Sequence, residues 1–596
     1  MDNSPLLYRI TLADLPGHRL QLDLHIPFPD PQGQVLSLPA WIPGSYLIRD
    51  FSRQIESIAA FSDDTAIAIH KLDKHRWQCA PCTGELHIRY TVYAWDLSVR
   101  GAHVDESHAF FNGTSVFLKP EGQDKRPCLL ELVENGQLPD WNVYTSLPEA
   151  RKKHGKLKPA KRHGFGLYEA RDYDDLIDHP VEMGTPQVIS FLAHGAEHEL
   201  VFTGIAPNLD LSRIAADVQK ICATQIAFFD PEQQRAPFLE SSDRYVFMTM
   251  VTDDGYGGLE HRASTALMAA RRDLPVQGMD PKQKTEGYQT FLGLVSHEYF
   301  HTWHVKRIKP AVFAPYDLSQ ENYTRLLWVF EGFTSYYDDL MLLRSGCVNE
   351  AQYFNLLSKN ISAVQRSPGR FKQSIAESSF DTWTRFYKQD ENSPNALVSY
   401  YSKGALAALG LDLSIRAQSK QEKSLDDVML AMWNQYGKDF YTRPAPQGVA
   451  EHAMQEIIYQ ATGFDASDYL SRYVYGTEDV PLQALFAAQG VELSWSSSQK
   501  TPSLDVRLRQ QGTQCELATV YEHGAAHRAG LSAGDILVAI DGLRVSDKAS
   551  LDRLLAAFQP DQTVQIHVFR RDELRAYTVQ LAKPALDTCT LQRLPH

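Results

Sequence analysis

Nowhere in its 596 residues does the sequence contain a run of about 18 apolar residues, which excludes a hydrophobic membrane-spanning helix. Cysteine is scarce. The seven present are mostly far apart and form no disulfide framework, so free thiols in a reducing compartment are expected. A surplus of positive charge is also missing: the formal net charge of −14 argues against nucleic-acid binding as the main role. The opening stretch MDNSPLLYRITLADLPGH has neither the basic start nor the apolar core of a secretion signal, and a cytoplasmic location is expected. No internal repeat with a period of roughly 20 to 50 residues stands out.

With 43% hydrophobic and 22% charged residues, the composition is that of globular protein, with length for about three or four domains. HRLQLDLHIPF, ELHIRYTVYAW and SVFLKP alternate apolar and polar residues between turn formers, which predicts a β-rich domain over residues 1–165. Cys79 and Cys82 form a CxxC there, but no second pair or His follows at zinc-finger spacing, and a structural turn is expected. The basic, nearly apolar-free stretch ARKKHGKLKPAKRHGFG reads as a solvated loop. Apolar spacing of three and four in LSRIAADVQKICATQIAFF, YQTFLGLVSHEYFHTWHVKRI and YTRLLWVFEGFTSYYDDLMLLR predicts a mainly helical domain over 166–485. Short strands, Gly turns and one amphipathic helix mark a small module over 486–596.

GLVSHEYFHTWH carries the chemistry. On a helix, His297 and His301 lie one turn apart on one face and offer two imidazoles to a single ion, with Glu298 beside them. Zinc is the expected ion, and a site of the His2Glu type takes its third ligand from another helix. Glu331 is the candidate, the sole acidic residue of LLWVFEGFTSYY. His304 would share the face of the pair, but three ligands on consecutive turns of a straight helix do not converge easily. Glu298 is the candidate general base for water polarised by zinc, passing the proton on to the leaving amine.

These residues resemble the glycyl aminopeptidase family of the gluzincins, relatives of aminopeptidase N. AWIPGSYLIRDFSR looks like that family's N-terminal signature, HEYFHTWHVKRIKP like its zinc helix, LLWVFEGFTSYYDDL like its third-ligand helix, and AGLSAGDILVAIDG like part of a PDZ module. The resemblance implies a multidomain α+β protein: a β-rich N-terminal domain, a thermolysin-like, mainly helical zinc peptidase domain and a C-terminal PDZ domain. It also implies removal of small N-terminal residues, Gly or Ala, from peptides. GGLEH stands in the place of the family's GxMEN motif, so Glu260 would bind the substrate's α-ammonium while the Gly257 and Gly258 backbone approaches the peptide. A fixed carboxylate there rewards a charged N-terminus. YYSKG resembles the YxKG stretch whose Tyr donates to the tetrahedral oxyanion, and alignment on Lys403 and Gly404 selects Tyr401.

Asp338, two turns after Glu331, is a candidate for orienting a ligand His, although a plain surface Asp fits the sequence as well. Lys306 and Arg307 are candidates for a substrate carboxylate, with ion pairing as the plainer expectation. Expected partners are peptides with a free N-terminus and a peptide added as a strand to the PDZ sheet, with no nucleic acid and no membrane. Two other functions fit the sequence: a zinc endopeptidase, and a PDZ-based peptide-binding protein with a vestigial zinc site.

Overall fold

A computed structural model describes residues 4–512 and 514–595. The chain divides into two compact units. One comprises Met1–Asn322, Tyr337–Val348 and Met432–Ala450, the other Tyr323–Tyr336, Asn349–Ala431 and Glu451–His596.

The first unit begins with a seven-stranded sheet in the order Gly166–Ala170, Cys128–Leu132, Leu6–Asp14, Arg19–Ile26, Leu86–Tyr93, Ile55–Ser62, Thr65–Ile67. Leu6, Tyr8, Ile10 and Leu12 point inward from their strand, as do Leu86, Ile88, Tyr90 and Val92 from theirs, while their neighbours stay wetter. This period of two is the one that alternation in the sequence predicts. Cys79 is buried at the end of the strand Arg76–Cys79, and Cys82 lies in the loop that follows; all seven cysteines are free thiols. In the basic stretch, Arg162 and His163 pair with Glu199.

A second sheet in this unit runs in the order Gln187–Ala193, Ala196–Thr203, Arg244–Thr252, Ser264–Ala270, Gly257–Glu260. Its three central strands are parallel. The helix Leu211–Phe229 provides the crossover between the first two of these. Fully buried parallel strands show no alternation, so Ala196–Thr203 gives no strand signal in the sequence. Gly257–Glu260 closes the sheet as an antiparallel edge strand, with Gly258 opposite Leu267 and Glu260 opposite Thr265. After it comes the helix Glu286–Phe300, whose Thr285 cap accepts from the Tyr288 N–H.

The second unit is helical, then β. Leu327–Phe330 and Gly332–Arg344 form one continuous helical run, since the Glu331 N–H reaches Leu327 O at 2.7 Å and the Ser335 N–H reaches Glu331 O at 2.8 Å. Within the second unit it crosses the helix Ser402–Gln418 at Gly332 and Gly404, where a Cβ on Gly332 would lie 2.8 Å from Gly404 Cα and 2.9 Å from Tyr400 O. The two glycines make that approach possible. Further along, the strands Val491–Ser496 and Thr588–Arg593 pair as a two-stranded ribbon. Between them lies a six-stranded sheet with the helices Ala525–Ala529 and Lys548–Leu555, built around Leu517, Leu537, Ile566 and Val568. No helix among the described residues is long and apolar enough to cross a membrane.

Candidate metal centre

His297 sits in the last turn of the helix Glu286–Phe300, and His301 is its C-terminal cap, still hydrogen-bonded through its N–H to His297 O at 3.2 Å. The i, i+4 relation therefore survives to the helix end, and the two imidazoles lie with ring centroids 4.6 Å apart. Each ring is oriented through Nδ1. His297 Nδ1 meets Asp338 Oδ2 at 2.9 Å, and His301 Nδ1 meets the backbone oxygen of His304 at 2.6 Å. Carboxylate and carbonyl oxygens accept, so in both neutral rings Nδ1 carries the proton and Nε2 the lone pair. This is the tautomer that metal-ligating histidines take when a second residue holds them. Asp338 is thus an orienting group rather than a plain surface Asp, and burial pushes its carboxyl above the usual range.

The helix ends sooner than the apolar spacing through His304 suggests. Past Phe300 the His304 N–H still reaches Phe300 O at 3.1 Å while its backbone oxygen is offered to His301, and the His304 side chain is fully buried. Lys306 and Arg307 form buried ion pairs, with Asp178 at 2.9 Å and Glu240 at 2.7 Å respectively, which is the plainer of the two expectations for them.

The edge strand brings Glu260 to this place, beside Glu298 of the helix. Donor atoms of Glu260, Glu298 and His301 all lie within 4.8 Å of one another. Glu260 is 3% exposed and Glu298 5%. Two carboxylates so close and so buried repel each other, and a cationic group between them relieves the strain. Glu260 Oε1 has no hydrogen-bond partner among the described residues. Gly258 presses on the Glu298 carboxylate: a Cβ there would stand 2.1 Å from Oε1. At Gly257 an added Cβ would meet open space.

Gly44 belongs to the same place, and the sequence reading assigned it no role. It lies in the PGS turn of the N-terminal domain at φ +91°, and a Cβ on it would fall 2.3 Å from Glu260 Oε2 and 2.7 Å from Oε1. The Glu260 carboxylate lies flat against this glycine. The signal available in the sequence was a Pro-Gly turn inside the N-terminal signature, 216 residues from the carboxylate it supports.

Glu331 and Tyr401 belong to the second unit. Glu331 is 2% exposed and stands seven residues, two helical turns, before Asp338 on one continuous run. Tyr400 is fully buried, with its hydroxyl 2.9 Å from Thr382 Oγ1, whereas the Tyr401 ring, stacked on Tyr400 at 4.7 Å, keeps partial exposure.

The donor set suits a borderline cation such as zinc, because neutral imidazoles fixed through Nδ1 are zinc ligands. A family model described as the Peptidase M61 N-terminal domain matches residues 7–185, one described as M61 glycyl aminopeptidase matches 290–407, and a PDZ domain model matches 502–581. The crystal structure of an aminopeptidase N family protein from Idiomarina loihiensis is 40% identical, covers 99% of this chain and 98% of its own, and superposes with a TM-score of 0.92. The chain belongs to the M61 glycyl aminopeptidase family, among the relatives of aminopeptidase N. This zinc aminopeptidase therefore combines a β-rich N-terminal domain, a helical peptidase domain and a PDZ domain. An M1 zinc metallopeptidase from Deinococcus radiodurans is 12% identical over 81% of this chain and 95% of its own, with a TM-score of 0.47, and at that distance the likeness carries no functional argument. A search of curated proteins found no match.

Proposed function

We propose that this metallopeptidase removes small N-terminal residues, Gly or Ala, from peptides, with zinc held by His297, His301 and Glu331. The observation that carries the exopeptidase reading is the buried Glu260 carboxylate, with Oε1 lacking a partner and Glu298 close by. A substrate α-ammonium satisfies that oxygen and relieves the repulsion. Support for Glu331 comes from its burial. Zinc, when bound, supplies the Lewis acid that polarises water and the scissile carbonyl.

The protein's own groups do the rest. Glu298 takes a proton from the attacking water and delivers it to the leaving amine. The outer edge of the strand Gly257–Glu260 receives the peptide backbone, with no side chain at either glycine to block it. Glu260 sets the register by binding the free amine, so cleavage follows the first residue. Tyr401 donates to the oxyanion of the tetrahedral intermediate, a contact made in the transition state. A groove that Leu504, Val506, Leu508, Leu551 and Leu555 of the PDZ domain help to line takes an extended peptide as a second ligand.

The deciding experiment compares Gly and Ala anilides with their N-acetyl counterparts, for the natural protein and for Glu260→Ala. Selective cleavage of free-amine substrates, largely lost in Glu260→Ala, is expected. Equal cleavage of blocked and free substrates would make the protein an endopeptidase.

A further inference from the structure

We infer that a hairpin of the N-terminal domain carries a second site for a divalent transition-metal ion, formed by His103, Asp105 and His108. The strands Ala102–Val104 and His108–Phe111 pair antiparallel with Phe110 opposite His103, and the Asp105 N–H reaches His108 O at 3.1 Å across the turn. This register sets residues 103, 105 and 108 on one face of the hairpin. Their donor atoms all lie within 4.8 Å of one another, and the two imidazoles are stacked at 4.9 Å. A tetrahedral ion with bonds of about 2.0 Å needs edges of roughly 3.3 Å, so small side-chain rotations close the site.

The surroundings are built for ligation. His108 Nδ1 meets Oε1 of Glu182 at 3.1 Å, and Glu182 is 2% exposed. With Nδ1 donating to that carboxylate, Nε2 is the ligand nitrogen, the same arrangement that Asp338 gives His297. The His103 ring is held between Trp95, at 4.7 Å, and His108. The His103 side chain is itself buried. Its Nδ1 is buried and has no hydrogen-bond partner among the described residues, while Nε2 lies 3.2 Å from Asp105 Oδ2. Asp105 Oδ1 is anchored by the N–H groups of Ser107 and His108, which fixes the carboxylate against the turn. The Asp105 side chain keeps 20% exposure, which gives an ion a way in. Two imidazoles and one carboxylate select zinc or its neighbours in the first transition row over calcium or magnesium.

Zinc itself is the probe. The full-length protein is stripped with a chelator, incubated with zinc, desalted and measured by elemental analysis; cobalt replaces zinc for visible spectra. Two ions per chain are expected for the natural protein and one for His103→Gln and for Asp105→Asn, the latter preserving the Oδ1 acceptor that the turn needs. Peptidase activity is expected to persist in both. Glu331→Ala is expected to keep one ion while losing activity, so failure of the peptidase centre and failure of the hairpin site give different results. A single ion in the natural protein, or two ions persisting in His103→Gln and Asp105→Asn, overturns the inference.

Discussion

Gly44→Ala places one methyl group where the structure has no room for it. The new Cβ would stand 2.3 Å from Glu260 Oε2 and 2.7 Å from both Oε1 and Cδ, against an ordinary contact of about 3.5 Å or more. The carboxylate must retreat by about 1 Å, enough to break a hydrogen bond to a substrate ammonium. A hydrogen bond to a charged group is worth about 1.5–3 kcal/mol, and each 1.4 kcal/mol is tenfold. The expected loss in kcat/KM for free-amine substrates is therefore about 10- to 100-fold. The positive φ of Gly44 adds a separate strain of about 1–2 kcal/mol to the folded state, visible in thermal unfolding but not in substrate selectivity. The assay is steady-state hydrolysis of Ala and Gly anilides by the natural protein, by Gly44→Ala and by Gly44→Ala combined with Glu260→Asp. The shorter aspartate withdraws from the added methyl group, so Gly44→Ala is expected to cost less in the Glu260→Asp background than in the natural protein. Unchanged kinetics in Gly44→Ala, or strict additivity in the double variant, would refute the packing argument.

Glu298→Gln keeps the shape of the site and removes the base, so kcat is expected to fall about 10²- to 10⁴-fold with zinc content unchanged, as elemental analysis checks. Tyr401→Phe is expected to lower kcat by about 10²-fold or more with little change in KM, while Tyr400→Phe, which loses a contact to Thr382, acts on thermal stability instead. Asp338→Ala frees the His297 ring and is expected to weaken zinc binding about 10- to 100-fold in a chelator competition. Gly332→Ala pushes a Cβ against Gly404 and Tyr400, and a destabilisation of about 1–3 kcal/mol is expected in denaturant unfolding.

The helical histidine pair was legible because its spacing is local in sequence. HEYFH fixes two imidazoles one turn apart, and the structure keeps that spacing even though the helix stops at Phe300. The alternating strands of the N-terminal domain and the glycine-punctuated PDZ strands were legible for the same reason: their periodicity is written in consecutive residues. The parallel strands Ala196–Thr203 and Arg244–Thr252 are buried on both faces, and the first carries no alternation to read. Gly44 was invisible for another reason. Its partner Glu260 is brought to it by the packing of the N-terminal domain, and nothing in a Pro-Gly turn says which side chain will lie on it. Asp338 stood between two readings until the 2.9 Å contact with His297 placed it.

In the proposed site, His297, His301 and Glu331 share one ion while Glu260 serves the substrate. Zinc content and peptidase activity of Glu331→Ala and Glu260→Ala, measured side by side after chelation and reloading, test this most directly. The account predicts that Glu331→Ala loses the catalytic zinc and all activity, whereas Glu260→Ala retains the zinc and loses mainly free-amine substrates. Full zinc retention with near-normal activity in Glu331→Ala, or loss of the catalytic zinc in Glu260→Ala, would contradict it.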